Sequence, residues 1–290
     1  MNNAKTAVLI DSGCDVTAEI CKKYDIRVMP LTIMYRDKCF SDTELEIEDP
    51  HYIYKHFKEE IPKTSALNTQ EVLDAVKKAA DDGYENVISV SISGAMSSTF
   101  STVTTALNEA KEAGTLKKVF AFDSKNISIG AGIFSIWAAK LLQDGKSFEE
   151  VVQSLKDKIW DVHLCYYMDT LTYLAKGGRI TPSVAIVGKL LNLKPIISCN
   201  HNGVYYTVAK IRGSSRGVEK LVEEMITPIR DASRCWICLM NGDGEALAET
   251  AKKMIFEKLP AANIIMEKQI VPSMAIHTGP GLLGIMVFSF

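Results

Sequence analysis

The residues of this sequence best suited to chemistry are hydroxyls grouped where the chain is expected to turn. Ser97, Ser98 and Thr99 stand three in a row, and Thr64 and Ser65 form a pair. Asp11-Ser12 and Asp123-Ser124 each join a carboxylate to a hydroxyl. Two further stretches complement them, Lys176-Gly177-Gly178-Arg179 and His277-Thr278-Gly279-Pro280-Gly281. Hydroxyls, a guanidinium and an imidazole together suit an anion such as a carboxylate or a phosphate. Each group also has a plainer reading. The hydroxyls can cap helices, the Lys-Gly-Gly-Arg run can be a solvated turn, and a lone His277 can be a hydrogen-bonded structural residue.

The run at Ser97 has the most telling surroundings. Before it, Val87, Ile88, Val90 and Ile92 make a β-branched run closed by Gly94, the pattern of a buried strand. After it, Phe100, Val103, Leu107 and Ala110 recur at helical spacing. A strand thus delivers the chain to a helix start, where unpaired N–H groups and a partial positive charge favour an anion. One hydroxyl suffices as N-cap, and Ser101 stands where a capping box needs Glu or Gln. Upstream, Asn68 and Glu71 have the spacing of a capping box, which leaves Thr64 and Ser65 without a capping duty. Ser97 as the nucleophile of a hydrolase or transferase is a rival reading, but no G-x-S-x-G elbow surrounds it. A binding module for another small anion is a third.

The elements that must position these groups alternate along the chain. Strands are expected at 7–10, 26–35, 87–92 and 119–122, with Pro30 marking a bulge or an edge in the second. Helices are expected at 17–24, 49–61, from Asn68 onward, from about Thr99 onward, at 127–142 and at 148–160. Pro50 would sit in the first turn of the second of these, and 62–68 would be a polar connection. Within the very apolar helix at 127–142, Gly130-Ala131-Gly132 either permits close packing or leaves room for a ligand. This order argues for a largely parallel sheet covered on both faces.

The second half has another texture. Strands are expected at 162–168, 195–199 and 204–211, the last two flanking the hairpin turn Asn200-His201-Asn202-Gly203. Further strands are expected at 235–240, 264–271 and 285–290, with helices at 215–229 and 245–259. A hairpin implies a mixed sheet, so the chain reads as two α/β domains, 1–160 and 161–290.

Composition narrows the function. With 47% hydrophobic and 23% charged residues, the chain is an ordinary globular protein. A net charge of −2 leaves no electrostatic footprint for nucleic acid. No apolar run approaches the roughly 20 residues of an integral membrane segment. Residues 1–5 lead directly into a strand, too short for a signal-peptide core, and seven irregularly spaced cysteines suit reduced thiols. A cytoplasmic location is the expectation. Gly279-Pro280-Gly281-Leu282-Leu283-Gly284 fits G-x-G-x-x-G, but only six residues follow it and no helix can, so a dinucleotide cofactor is not expected. Cys235 and Cys238 lie in a strand-like run, where i and i+3 face opposite ways, so neither redox chemistry nor a metal site is expected there.

Together these pieces resemble the DegV family, whose best-described members are the fatty-acid-binding subunits of bacterial fatty acid kinase. Asp11-Ser12, Thr64-Ser65, Met96-Ser97-Ser98-Thr99-Phe100, Asp123-Ser124, Asp169-Thr170-Leu171, Lys176-Gly177-Gly178-Arg179-Ile180, Lys194-Pro195-Ile196 and His277-Thr278-Gly279-Pro280-Gly281 occur in the family's order, nearly end to end. The resemblance implies two α/β domains with a lipid site between them. It implies a carrier for a long-chain fatty acid, not an enzyme, with no cofactor and with a fatty acid kinase catalytic subunit as partner in phospholipid metabolism. By the same resemblance, Thr64, Ser97 and the N–H of Ser98 bind the carboxylate, while His277, Thr278 and Arg179 lie near the head group. The sequence departs from the family at Ala66-Leu67-Asn68, where Pro and Ser are common, at Ser98 in place of Gly, and at Phe100 in place of Tyr. An acyl tail of roughly fourteen methylenes would gain on the order of 11 kcal/mol by burial, less the entropy of association. Met29, Met34, Ile129, Ile133 and Phe134 are candidate tail walls or plain core.

Overall fold

The computed structural model describes residues 5–49, 51–57, 59–180 and 193–290. Four strands, β1 (Thr6–Asp11), β2 (Ile26–Met29), β6 (Asn86–Ser91) and β7 (Lys118–Asp123), form a parallel sheet in the order β2-β1-β6-β7. Its inner strands are buried almost from end to end because both faces are covered. Ala7, Leu9 and Val87 meet α4 (Thr69–Asp81) and α5 (Thr99–Glu112) on one side. Val8, Ile10, Ile88 and Val90 belong to the larger core on the other side, with α6 (Ile129–Gln143). That is the alternation a pleated strand imposes.

A second sheet of six strands has the order β10-β9-β8-β13-β11-β12. It is built from β8 (Val162–Tyr167), β9 (Lys194–Cys199), β10 (Tyr205–Ile211), β11 (Cys235–Gly242), β12 (Ile264–Gln269) and β13 (Leu282–Ser289). All its pairings are antiparallel except β11 with β12. The α/β architecture, with one parallel and one mixed sheet, matches the expectation. Helix α6 lies between the sheets, touching β1 and β6 on one side and β8 and β13 on the other. A helix apolar all round is suited to that place. Its small residues serve close packing: a Cβ on Gly132 would stand 2.2 Å from the carbonyl oxygen of Cys14.

Several elements differ from the sequence expectation. Residues 26–35 are two strands, because the chain leaves the parallel sheet at Pro30 and Leu31 and enters β3 (Thr32–Tyr35) of a small third sheet. That sheet also contains β4 (Lys38–Ser41) and β5 (Lys63–Ser65), so part of the expected polar connection at 62–68 is a strand. The helix expected at 49–61 is replaced by α2 (Asp42–Glu48) and α3 (Tyr52–His56). Pro50, placed in its first turn, lies outside the described residues, as do residues 1–4. The last strand begins at Leu282, and a helix, Pro272–Thr278, precedes it where only a turn was expected. Cys235 and Cys238 belong to cores on opposite sides of their strand, and all seven cysteines are free. Among the described residues no helix is long and apolar enough to cross a membrane.

Candidate functional site

Four separate stretches converge on one cavity of about 440 Å³, within the range of small-molecule sites. Thr64, Ser97, Ser98, Arg179, His277 and Thr278 all line it. Much of the remaining wall is apolar, with Leu31, Ile92, Met96, Ile127, Leu174 and Met274. Of the other residues singled out in the sequence, Ser65 lines the cavity, whereas Asp11, Ser12, Asp123, Ser124 and Lys176 do not. Met29, Met34, Ile129, Ile133 and Phe134 border no part of it. Ile129, Ile133 and Phe134 are fully buried core, Met29 packs under α4 and α5, and Met34 is 37% exposed.

Thr64 reaches the cavity from β5, where it lies opposite Ile33 of β3. The helix expected from Asn68 starts there, and both halves of its capping box form with Glu71. Thr64 is therefore not used as a cap. Its Oγ1 stands 2.9 Å from Nε2 of His277.

His277 occupies the last turn of Pro272–Thr278, so helix geometry rather than a flexible turn orients it. Its ring rests against Gly177, where a Cβ would stand 2.4 Å from Nδ1. Only glycine permits that approach. Nδ1 is buried with no partner among the described residues. Burial, and then the nearby Arg179 charge, push the imidazole down to about 4, so the ring is neutral near pH 7. Thr278 turns its hydroxyl back to the carbonyl of Met274 at 3.1 Å.

At the start of α5, Ser97 Oγ accepts from the Thr99 amide at 3.2 Å and donates to Thr99 Oγ1 at 3.0 Å. Ser98 is the N-cap residue, but its side chain makes no capping bond. The backbone there is ordinary right-handed (φ −72°), so replacing the family's usual glycine strains nothing. The Ser98 amide has no acceptor among the described residues. Arg179 follows the short helix α8 (Thr172–Lys176) and donates from Nη1 to the carbonyl of Gly177. The site therefore gathers hydroxyls, a free amide at a helix start, a neutral imidazole and a guanidinium.

Sequence reasoning missed two layers around these groups. Tyr205 and Met274 line the cavity; Met274, one turn before His277, becomes visible only once that stretch is known to be helical. Asp15 and Asp42 were not marked; with Asp11, singled out beside Ser12, they are fully buried nearby, and burial raises all three, Asp11 and Asp15 to about 7. Nothing local in sequence marks a carboxylate for burial. Elsewhere, His51, Asp243 and Glu245 bring donor atoms within 4.8 Å of one another. That cluster is largely exposed and does not line the cavity.

Known proteins share this architecture throughout. The model of the DegV family of uncharacterised proteins matches residues 5–289. A DegV domain-containing protein of Clostridium acetobutylicum is 34% identical over 283 residues, 98% of each chain. One of Clostridium perfringens is 32% identical over 286 residues, again 98% of each. The crystal structure of DegV from Bacillus subtilis, a fatty acid binding protein, superimposes with a TM-score of 0.85 at 25% identity, covering 99% of this chain and 100% of its own. The Streptococcus pneumoniae Fatty Acid Kinase (Fak) B3 protein loaded with linoleic acid does so with a TM-score of 0.84 at 22% identity, covering 98% and 99%. Sequence, fold and motif order agree from end to end: this chain belongs to the DegV family.

Proposed function

We propose that this protein binds a long-chain fatty acid, burying its tail and holding its carboxylate at Thr64, Ser97 and the amide of Ser98. His277, Thr278 and Arg179 complete the head-group environment. The observation that carries this reading is the convergence of all six residues on one cavity whose other wall is substantially apolar. Fatty acid binding by the Bacillus subtilis relative and linoleic acid in the Streptococcus pneumoniae protein support it. On this reading the chain divides into lobes at 1–160 and 161–290, with the lipid between them.

The chemistry follows from proton positions. A neutral imidazole has one N–H, and a buried N–H without an acceptor costs more than a buried lone pair. The proton therefore belongs on Nε2, which donates to Thr64 Oγ1, and the Thr64 hydroxyl hydrogen is left to donate to a carboxylate. Ser97 reaches the same anion by rotating its hydroxyl away from Thr99. Such charge-assisted bonds offset the cost of withdrawing a carboxylate from water.

The chain acts as a carrier that presents its ligand to a kinase catalytic subunit, which forms the acyl phosphate. A serine enzyme is the less supported reading, because His277 pairs with Thr64 and not with Ser97. No carboxylate orients its Nδ1 among the described residues, so no nucleophile–base–acid chain is assembled. The test is organic extraction of purified protein followed by lipid mass spectrometry, with added palmitate for any empty fraction. A noncovalent long-chain fatty acid is expected, and with ATP and magnesium the isolated chain should form no acyl phosphate. Protein that is empty and refuses added palmitate would overturn the binding reading. Acyl phosphate made by this chain alone would overturn the carrier reading.

A further inference from the structure

The helix Pro272–Thr278 carries His277 and Thr278 but has no cap of its own. Val271 is its N-cap residue, with no side chain able to accept, and Pro272 follows it. Two amides at its start are nevertheless satisfied by carboxylates that lie far away in sequence. Asp15 Oδ1 accepts from the Val271 amide at 2.7 Å, and Asp42 Oδ1 accepts from the Ser273 amide at 2.8 Å. Anions at a helix N-terminus are favoured by its dipole and its unpaired N–H groups.

Asp42 does more than cap. Its Oδ2 also receives the hydroxyls of Ser273 at 2.5 Å and Ser12 at 2.7 Å. Its own amide donates to the carbonyl of Leu31 at 2.9 Å, while the Leu31 amide donates to Ser12 Oγ at 2.9 Å. Leu31 leads directly into β3, and Ile33 of β3 pairs with Thr64. One fully buried residue is thus bonded through its carboxylate to the helix bearing His277 and, by way of Ser12 and its own amide, to Leu31, which leads into the strand paired with that of Thr64. Ser273 lies four residues before His277, on the same face of the helix.

We infer that Asp42 is a positioning residue for the head-group site, setting the helix of His277 against the strand of Thr64. It touches neither His277 nor Thr64 and acts through Ser273, Ser12 and Leu31. This inference rests on the fatty-acid reading only for its effect on affinity; the placement of His277 can be read without any ligand.

The experiment has two readouts on wild type, Asp42→Ala, Thr64→Ala and the double variant. Palmitate and methyl palmitate are titrated, and the His277 ring nitrogens are followed by ¹⁵N NMR. Hydrogen-bond partners that orient metal-ligating side chains typically carry about ten- to a hundredfold in affinity, and Asp42 stands in a like relation to His277 and Thr64. Asp42→Ala should lose that much for palmitate and little for the ester. The loss should largely vanish in the Thr64→Ala background, because the two act through one contact. The His277 nitrogen shifts should move in ligand-free Asp42→Ala. Asp42→Asn, which keeps an acceptor for the Ser273 amide, should recover part of both. Folded Asp42→Ala with wild-type nitrogen shifts would overturn the inference, as would a loss that multiplies independently with that of Thr64→Ala. If Asp42→Ala does not fold, Ser273→Ala removes one of the three bonds and should show the same coupling on a smaller scale; an uncoupled loss there overturns the inference equally. Wild type that binds no palmitate would instead refute the fatty-acid reading, while the nitrogen shifts still decide the role of Asp42.

Discussion

The two sheets are held together by two regions of opposite character. In one, Phe134 and Trp137 of α6 meet Trp236, Phe288 and Phe290, with ring centroids 4.9 to 6.2 Å from their neighbours. In the other, Asp15 and Asp42 hold Val271 and Ser273 through hydrogen bonds in the core. Aromatic packing is large in energy and only weakly directional. Buried carboxylates with several donors add less net stability, because desolvation offsets much of the gain, but they fix geometry. The difference teaches that the joint's strength and the site's accuracy have separate sources in this molecule.

The largest effect expected from breaking this division comes at the aromatic region. Phe288 is fully buried, and Phe288→Ala should destabilise the fold by about 3–5 kcal/mol. Denaturant unfolding reads the loss directly. Palmitate affinity of the folded variant, measured below its transition, should stay near wild type. A parallel collapse of affinity in fully folded protein would show that the two regions are not separable.

An intermediate effect is expected where the site leans on a missing side chain. Gly177→Ala puts a methyl group on Nδ1 of His277, and the helix held by Asp42 cannot simply withdraw. Overpacking of this kind costs roughly 1–3 kcal/mol. Here it should appear mainly as weaker palmitate binding and altered His277 nitrogen shifts, with a smaller change in unfolding free energy. Unchanged binding would mean that the position of His277 is not critical.

How far this was legible in the sequence follows the same line. The buried strands of the parallel sheet show as apolar runs, the Asn68–Glu71 cap and the Asn200–Gly203 hairpin have local signatures, and all were readable. The hydroxyls of the cavity were readable because they exceeded what capping needs. Strand β5 was not, since its three residues are ordered by pairing with β3 and not by any pattern of their own. The helix Pro272–Thr278 was hidden for a related reason: its caps come from Asp15 and Asp42, more than two hundred residues away. Packing around α6 is also invisible in sequence, so a tail wall and a core are equally open readings of Ile129, Ile133 and Phe134, which the fold places in the core. Local chemistry announces itself in sequence; partners supplied across the fold do not.

A change of slope separates the two regions by pH, since none of the aromatic side chains named above titrates. Asp11 is fully buried, accepts from the Ile92 amide at 3.1 Å, and leaves Oδ1 without a partner among the described residues. Burial pushes it from 3.8 to about 7. Between those values the folded protein holds a proton that the unfolded chain has lost, so the Asp11 contribution makes stability fall as pH rises from about 4 to about 7. His277 has the opposite sign. Burial pushes it from 6.5 down to about 4, so in that window the unfolded chain holds the extra proton, and its contribution makes stability rise with pH. Urea unfolding followed across this range should therefore give a more positive slope in Asp11→Asn and a more negative slope in His277→Gln. Phe288→Ala should shift the whole curve downward without changing its slope. Equal slopes in all four proteins would show that neither group titrates differently on folding, and that the buried polar region is more open to water than its geometry implies.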